Sequence, residues 1–133
     1  MVAKVPKYTW NQDDGLDNLS VNVHIEGLRD FKRTNMDGIL QLISDVALNA
    51  DVTFEATIRG FLLEIWGQDE LDGEHYLLRV DGLPGDLKVK QCRMAVRSNT
   101  VQIILKKQDA VSWSEELKHG LPLCELRCFR GCS

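Results

Sequence analysis

The sequence predicts an all-β chain, a seven-stranded antiparallel β-sandwich, and three observations indicate this class. Apolar and polar residues alternate with a period of two along most of the chain, which is typical of half-buried strands. Residues that favour turns separate these short segments. Only one long helical pattern occurs, whereas a parallel sheet needs a crossover connection between its strands. The 133 residues suit one domain, since domains usually run to about 100–150 residues.

Seven short segments carry the strand signal. They are residues 8–11, 19–25, 52–56, 61–66, 75–80, 89–96 and 100–105. The second segment shows the pattern best, because its odd-numbered residues are all apolar while Ser20, Asn22 and His24 share the other face. Between the fourth and fifth segments, Asp72 and Gly73 suit a tight hairpin turn. Residues 97–99 join the last two segments.

Two other segments have helical character. Apolar residues recur at three- and four-residue steps over residues 36–50, which predicts an amphipathic helix inside an insert that spans residues 29–50. The apolar side of this helix either packs back on the sandwich or is offered to a partner or a second copy. A short C-terminal helix is predicted after Ser112, because Ser112 to Glu115 has the order of a capping box. Gly120 would end it.

Composition and charge exclude several classes of function. The formal net charge of −4 argues against bulk attraction to nucleic acid. No apolar run approaches the ~18 residues that a membrane span needs. Residues 1–10, which include the N-terminal lead of residues 1–7, lack the apolar core of a secretory signal. Three of the four cysteines lie in the last ten residues, unlike a disulfide framework. We therefore expect a reducing compartment, the cytoplasm or the nucleus.

The positive charge is concentrated in the last third of the chain. Residues 87–107 contain six lysines and arginines and no acid. This run is either a solvated strand face or a basic patch that meets an acidic partner protein.

Three stretches of residues resemble one protein family. The first is Tyr-Thr-Trp-Asn-Gln at residues 8–12 with the alternating residues 19–28. The second comprises residues 61–65 and 75–83, and the third runs over residues 92–113 with a basic strand end and a closing Trp. Together they resemble the CS domain, which occurs in co-chaperones of ubiquitin ligases, calcyclin-binding protein, nuclear-distribution C proteins and cytosolic prostaglandin-E-synthase co-chaperones.

The resemblance implies an immunoglobulin-like β-sandwich over residues 8–117, followed by a tail over residues 118–133. It also implies a protein-binding module that uses no cofactor and docks on the ninety-kilodalton heat-shock chaperone or on a ubiquitin-ligase assembly. The chain departs from the family in the insert, and Leu117 stands four residues after Trp113 where the family usually has three. An adaptor that is unrelated to chaperones and binds a partner or itself through the insert is the alternative.

The partner-binding residues that the resemblance implies are Trp10, Asn11, His24, Lys107 and Asp109. Trp10 and Asn11 match the opening aromatic positions, and His24 matches a surface aromatic. Lys107 and Asp109 match a basic and an acidic residue after the last strand. Ordinary structural roles remain open, with Trp10 as a core or edge anchor. Lys107 has the parity of the apolar residue Leu105, so it faces solvent only if the strand has ended or twisted by then.

Catalysis and metal binding are not expected. The related isomerase activity is attributed to a Tyr at the position of Asn11, which has no phenolic proton, and no other catalytic motif occurs. Four residues of the C-terminal part could in principle ligate zinc: His119, Cys124, Cys128 and Cys132. Their spacing is not that of two close cysteine pairs, so free thiols without a bound metal are expected.

Overall fold

The computed structural model describes residues 3–29 and 47–124. Within them the chain forms seven strands, β1 (Lys7–Gln12), β2 (Asn18–His24), β3 (Ala50–Thr57), β4 (Gly60–Gly67), β5 (His75–Asp81), β6 (Arg93–Arg97) and β7 (Thr100–Lys106). They build a four-stranded sheet of order β1-β2-β7-β6 and a three-stranded sheet of order β3-β4-β5. Every pairing within these sheets is antiparallel. The prediction of seven antiparallel strands is therefore confirmed.

One hydrophobic core takes side chains from both sheets. The odd-numbered residues of β2 and β7 are buried, as period two predicts, and they pair across the strands as Leu19 with Leu105 and Val23 with Val101. The three-stranded sheet contributes Phe61 from β4. Each such side chain stabilises the fold by about 1.5–3 kcal/mol when it is fully buried.

The sixth strand is shorter than the predicted segment 89–96. Val89–Gln91 forms a 3-10 turn, in which the Cys92 N–H bonds the Val89 carbonyl, and the strand begins only at Arg93. The predicted tight turn at Asp72 and Gly73 is part of a longer connection between β4 and β5, which also contains a 3-10 turn. Gly73 has the positive φ of 92° expected of a turn glycine.

The C-terminal helix predicted after Ser112 does not form as a regular helix. Residues 114–119 form consecutive turns instead. Ser112 Oγ accepts the Ser114 N–H at 3.2 Å, as an N-cap does. The Leu117 N–H then donates to the Trp113 carbonyl, four residues back, but the N–H groups of Lys118 and Gly120 donate to carbonyls only three residues back. The segment that Gly120 ends is too short for a stable helix, because the first turn is costly to form and only further turns would add the hydrogen bonds that offset this cost.

The predicted insert helix is wrong at its C-terminal end. Residues 47–49 are a bridge and a bend, and Ala50 already belongs to β3. The rest of the predicted helix lies outside the described residues. The buried Asn49 closes the base of the insert, because its Oδ1 accepts the Arg29 N–H at 3.0 Å and its Nδ2 donates to the Gly27 carbonyl at 2.9 Å. A second tie joins the Leu48 N–H to the Arg29 carbonyl at 2.8 Å.

Two segments outside the seven strands, around Lys4 and Leu123, cover the free edge of β5 in the three-stranded sheet. Lys4 forms a parallel bridge with Tyr76, and Leu123 forms an antiparallel bridge with Val80, both on the side of β5 that β4 leaves free. Such cover prevents edge-to-edge pairing with other chains. No helix among the described residues has the length and apolar character needed to cross a membrane.

Candidate protein-binding face

The outer side of the four-stranded sheet is polar and basic. Its four strands contain no Asp or Glu. Their lysines and arginines all alternate with core residues and so project away from the core: Lys7, Arg93, Arg97 and Lys106. We call this surface the basic face.

The strand register arranges these charges around an uncharged centre, which is polar apart from Ile104 and Ala95. One row across the sheet consists of Lys7, His24, Thr100 and Arg97, with His24 in the second strand. The next row pairs Asn22 with Gln102. Facing side chains in neighbouring strands have Cβ atoms about 5 Å apart, so the row that holds His24 is continuous and has a cation at each end.

Asn11 and Trp10 lie on opposite sides of β1. Asn11 is exposed on the basic face, where it pairs with Ser20. Trp10 pairs with the fully buried Val21 and packs, half-buried, against the core. Trp10 therefore has the anchoring role that the sequence left open. Asn11 belongs to the basic face, and Trp10 does not.

Lys107 is buried, which corrects its prediction as a surface contact. Only 2% of the residue is exposed. Its Nζ donates to Gln12 Oε1 at 2.7 Å and to the Val111 carbonyl, and it lies 4.6 Å from the centre of the Trp113 ring. The reason is that Lys107 still pairs in register, as a bridge with Leu87, so it keeps the inward parity of β7.

Burial lowers the pKa of Lys107 below its usual 10.5, because the ammonium loses its water, while the charges of Asp13 and Asp17 oppose this effect in part. Lys107 thus holds the C-terminal segment against β1. Gln12 Oε1 also accepts the Trp113 N–H at 2.9 Å, so the same amide oxygen fixes both the lysine and the tryptophan.

Asp109 is exposed but lies far from His24. It follows the end of β7 at which Lys106 pairs with Asn18, whereas His24 stands at the other end of β2. Six residues at about 3.4 Å each separate the two ends by about 20 Å. The structure therefore brings His24 and Asn11 to one face and separates Asp109 from them.

The sequence reasoning included Arg93, Arg97 and Lys106 in its basic run of residues 87–107, but it did not place them on one face with His24, and it missed Lys7. All four cations lie on the basic face, with Lys106 in place of Lys107. Period two contained the signal. Arg97 and Lys106 each stand next to a buried apolar residue, and Lys7 and Arg93 each stand next to a partly buried residue that packs against the core.

Within residues 3–29 and 47–124 no cluster of three or more His, Cys, Asp or Glu side chains has a geometry suited to a metal ion. Cys128 and Cys132, which belong to the zinc alternative, lie outside those ranges.

Comparison with known proteins adds no assignment to this geometry. No protein-family model matches the chain, and neither does any curated protein.

Proposed function

We propose that this protein is a protein-binding module that docks on an acidic surface of a partner through its basic face. The observation that carries the proposal is the absence of any acid from the four strands of that sheet, although the chain as a whole is acidic. Acidic and basic residues are therefore segregated on the surface, which favours encounter with a negative partner patch.

The size of the basic face sets the expected affinity. Four strands at about 4.8 Å spacing and about 20 Å long cover a footprint of roughly 300–400 Å². This lies well below the ~800 Å² per partner of a standard stable interface. A dissociation constant in the micromolar range and a strong dependence on salt follow, because exposed charges carry much of the attraction.

The resemblance to CS domains supports the ninety-kilodalton heat-shock chaperone as the partner, with a ubiquitin-ligase component as the alternative. Asn11 and His24, which match partner-binding positions of that family, lie on the basic face. On this proposal Lys106 takes the place of the buried Lys107 as the surface cation of the last strand. The immunoglobulin-like CS fold belongs to the same proposal, and the two antiparallel sheets support it.

Titration of the purified chaperone's N-terminal domain into the protein by calorimetry tests the proposal. Arg97→Glu reverses a charge in the row of His24 and is expected to weaken binding about tenfold. Lys90→Glu is the matched control, because Lys90 is an exposed cation outside the four strands, and it should change the affinity less than about twofold. The absence of binding at about 100 μM, far above a micromolar dissociation constant, would reject this chaperone as the partner.

A further inference from the structure

The outer side of the three-stranded sheet carries charge of the opposite sign. Its strands contain the acids Asp51, Glu55, Glu64 and Asp81 and a single base, Arg79. All five alternate with residues that face the core. We call this surface the acidic face, and it lies on the other side of the core from the basic face.

Trp66 is an aromatic side chain held open on this face. It is 47% exposed although it belongs to a regular strand. One side of its ring stacks on His75, with ring centres 3.5 Å apart and planes 13° from parallel. The imidazole is itself held, because His75 Nε2 lies 2.8 Å from Glu64 Oε2. The indole is therefore positioned before any ligand arrives, and little side-chain freedom remains to be lost on binding.

Carboxylates stand beside the indole. Asp51 pairs directly with Trp66 across the sheet, and Glu64 lies two residues along the same strand on the same side. The contact with His75 Nε2 occupies one acceptor position of the Glu64 carboxylate, and a carboxylate has further acceptor positions on both oxygens. An open indole with carboxylates at its border suits a planar cation, since a guanidinium stacks on the ring and pairs with a carboxylate.

We infer that Trp66, Asp51 and Glu64 form a docking site for an arginine side chain within a basic segment of a partner protein. The site goes beyond the proposed function, because it uses the opposite sheet and a partner of opposite charge. The module would then bridge an acidic and a basic partner. Each of the two sites can fail without the other.

Hexa-arginine peptide, acetylated and amidated, is the probe. It is titrated into the full chain by calorimetry and by NMR of the indole N–H groups, with Trp66→Thr assigning the Trp66 signal. The largest indole shift is expected at Trp66, because Trp113 is buried and Trp10 packs on the core. Hexa-lysine should bind about threefold more weakly or worse, since an ammonium cannot stack as a plane.

Two substitutions within the site and one control on the same face distinguish specific binding at the site from general attraction between opposite charges. Trp66→Thr should weaken hexa-arginine binding about fivefold or more, and Asp51→Asn about threefold. Asp81→Asn removes the same charge from the same face, but six residues away along the strands, or about 20 Å. It should leave the affinity within about 1.5-fold of the wild type.

Equal effects of Asp51→Asn and Asp81→Asn would overturn the inference, because binding would then follow net charge alone. An affinity unchanged by Trp66→Thr would overturn it as well, and urea unfolding of each variant confirms that it is folded. Sedimentation of the protein without peptide tests whether a second copy of the chain occupies the site instead. Salt-sensitive self-association that Trp66→Thr abolishes would assign the site to a second copy rather than to a basic partner.

Discussion

Lys107→Met removes a buried cation and keeps most of its volume, so it isolates the contribution of the ammonium group. In the wild type the Nζ donates to Gln12 Oε1 and to the Val111 carbonyl, and it lies over the Trp113 ring. Hydrogen bonds to a charged group contribute about 1.5–3 kcal/mol each, and two of them give at least about 3 kcal/mol. The substitution also removes the cost of burying the ammonium charge, which offsets part of this loss in the free energy of unfolding. We therefore expect a net loss of about 2 kcal/mol in the free energy of unfolding.

Urea unfolding at neutral pH measures this loss, which corresponds to roughly 6–8 °C in Tm for a domain of this size. Lys107→Ala is the companion variant. It also removes about three buried methylene groups at about 0.8 kcal/mol each, so it should lose about 4 kcal/mol in total. A Lys107→Met variant as stable as the wild type would refute the view that these bonds outweigh the cost of burying the charge.

The remaining predictions concern pH, the base of the insert and the thiols. Because the folded pKa of Lys107 lies below 10.5, the folded state binds fewer protons than the unfolded state in the alkaline range, and the wild type should gain stability over Lys107→Met as the pH rises towards 10.5. A difference in the free energy of unfolding between the wild type and Lys107→Met that shifts towards the variant with rising pH would contradict this direction. Asn49→Ala should lower the free energy of unfolding by about 2 kcal/mol, since it removes two part-buried hydrogen bonds of about 1 kcal/mol each. Urea titration measures the loss, and a loss below about 0.5 kcal/mol would show that Asn49 does not hold the base of the insert. Replacement of residues 30–46 by a four-residue Gly-Ser linker should preserve the β-type circular dichroism, because the bonds between Arg29 and Asn49 close the base of the insert without the replaced residues. The shorter loop should also favour folding by about 1 kcal/mol. Loss of that spectrum would show that the sheets need the insert. Partial burial raises the pKa of Cys92, which packs against the core. Iodoacetamide labelling at Cys92, followed by mass spectrometry at neutral pH, should therefore be at least about tenfold slower in the folded protein than in urea; equal rates would show that the fold does not shield this thiol.

Alternation of side chains predicted the strands well because burial on one face of a sheet imposes a period of two. The whole of β2 follows from this rule, since its odd-numbered residues lie in the core. The rule is less reliable at strand ends. The segment before Arg93 has strand-forming residues, yet it forms a 3-10 turn, in which the carbonyls of Lys88 and Val89 accept the N–H groups of Gln91 and Cys92.

The two predicted helices illustrate another limit. A capping pattern at Ser112 specifies where a helix can begin, but Gly120 leaves too few residues to complete one. At the insert, the apolar spacing ran on through Ala50, although that residue pairs with Gly67 in β3. Apolar spacing alone does not show where one period ends and another begins.

Lys107 shows how two kinds of sequence reasoning can conflict. Resemblance to the CS family placed it on a binding surface, whereas its parity with Leu105 placed it inside. The structure follows parity, because pairing with Leu87 continues past the end of β7. Trp66 was missed as a surface residue since the mostly apolar run around it hides the alternation.

The most direct test of the central claim is an NMR titration of the labelled protein with the N-terminal domain of the ninety-kilodalton heat-shock chaperone at about 100 μM. If the basic face is the binding surface, the amide shifts should concentrate at His24, Thr100 and Arg97 and weaken as salt is added. The absence of any shift would reject this chaperone as the partner. Shifts confined to the acidic face or to the segments around Lys4 and Leu123 would contradict the proposal.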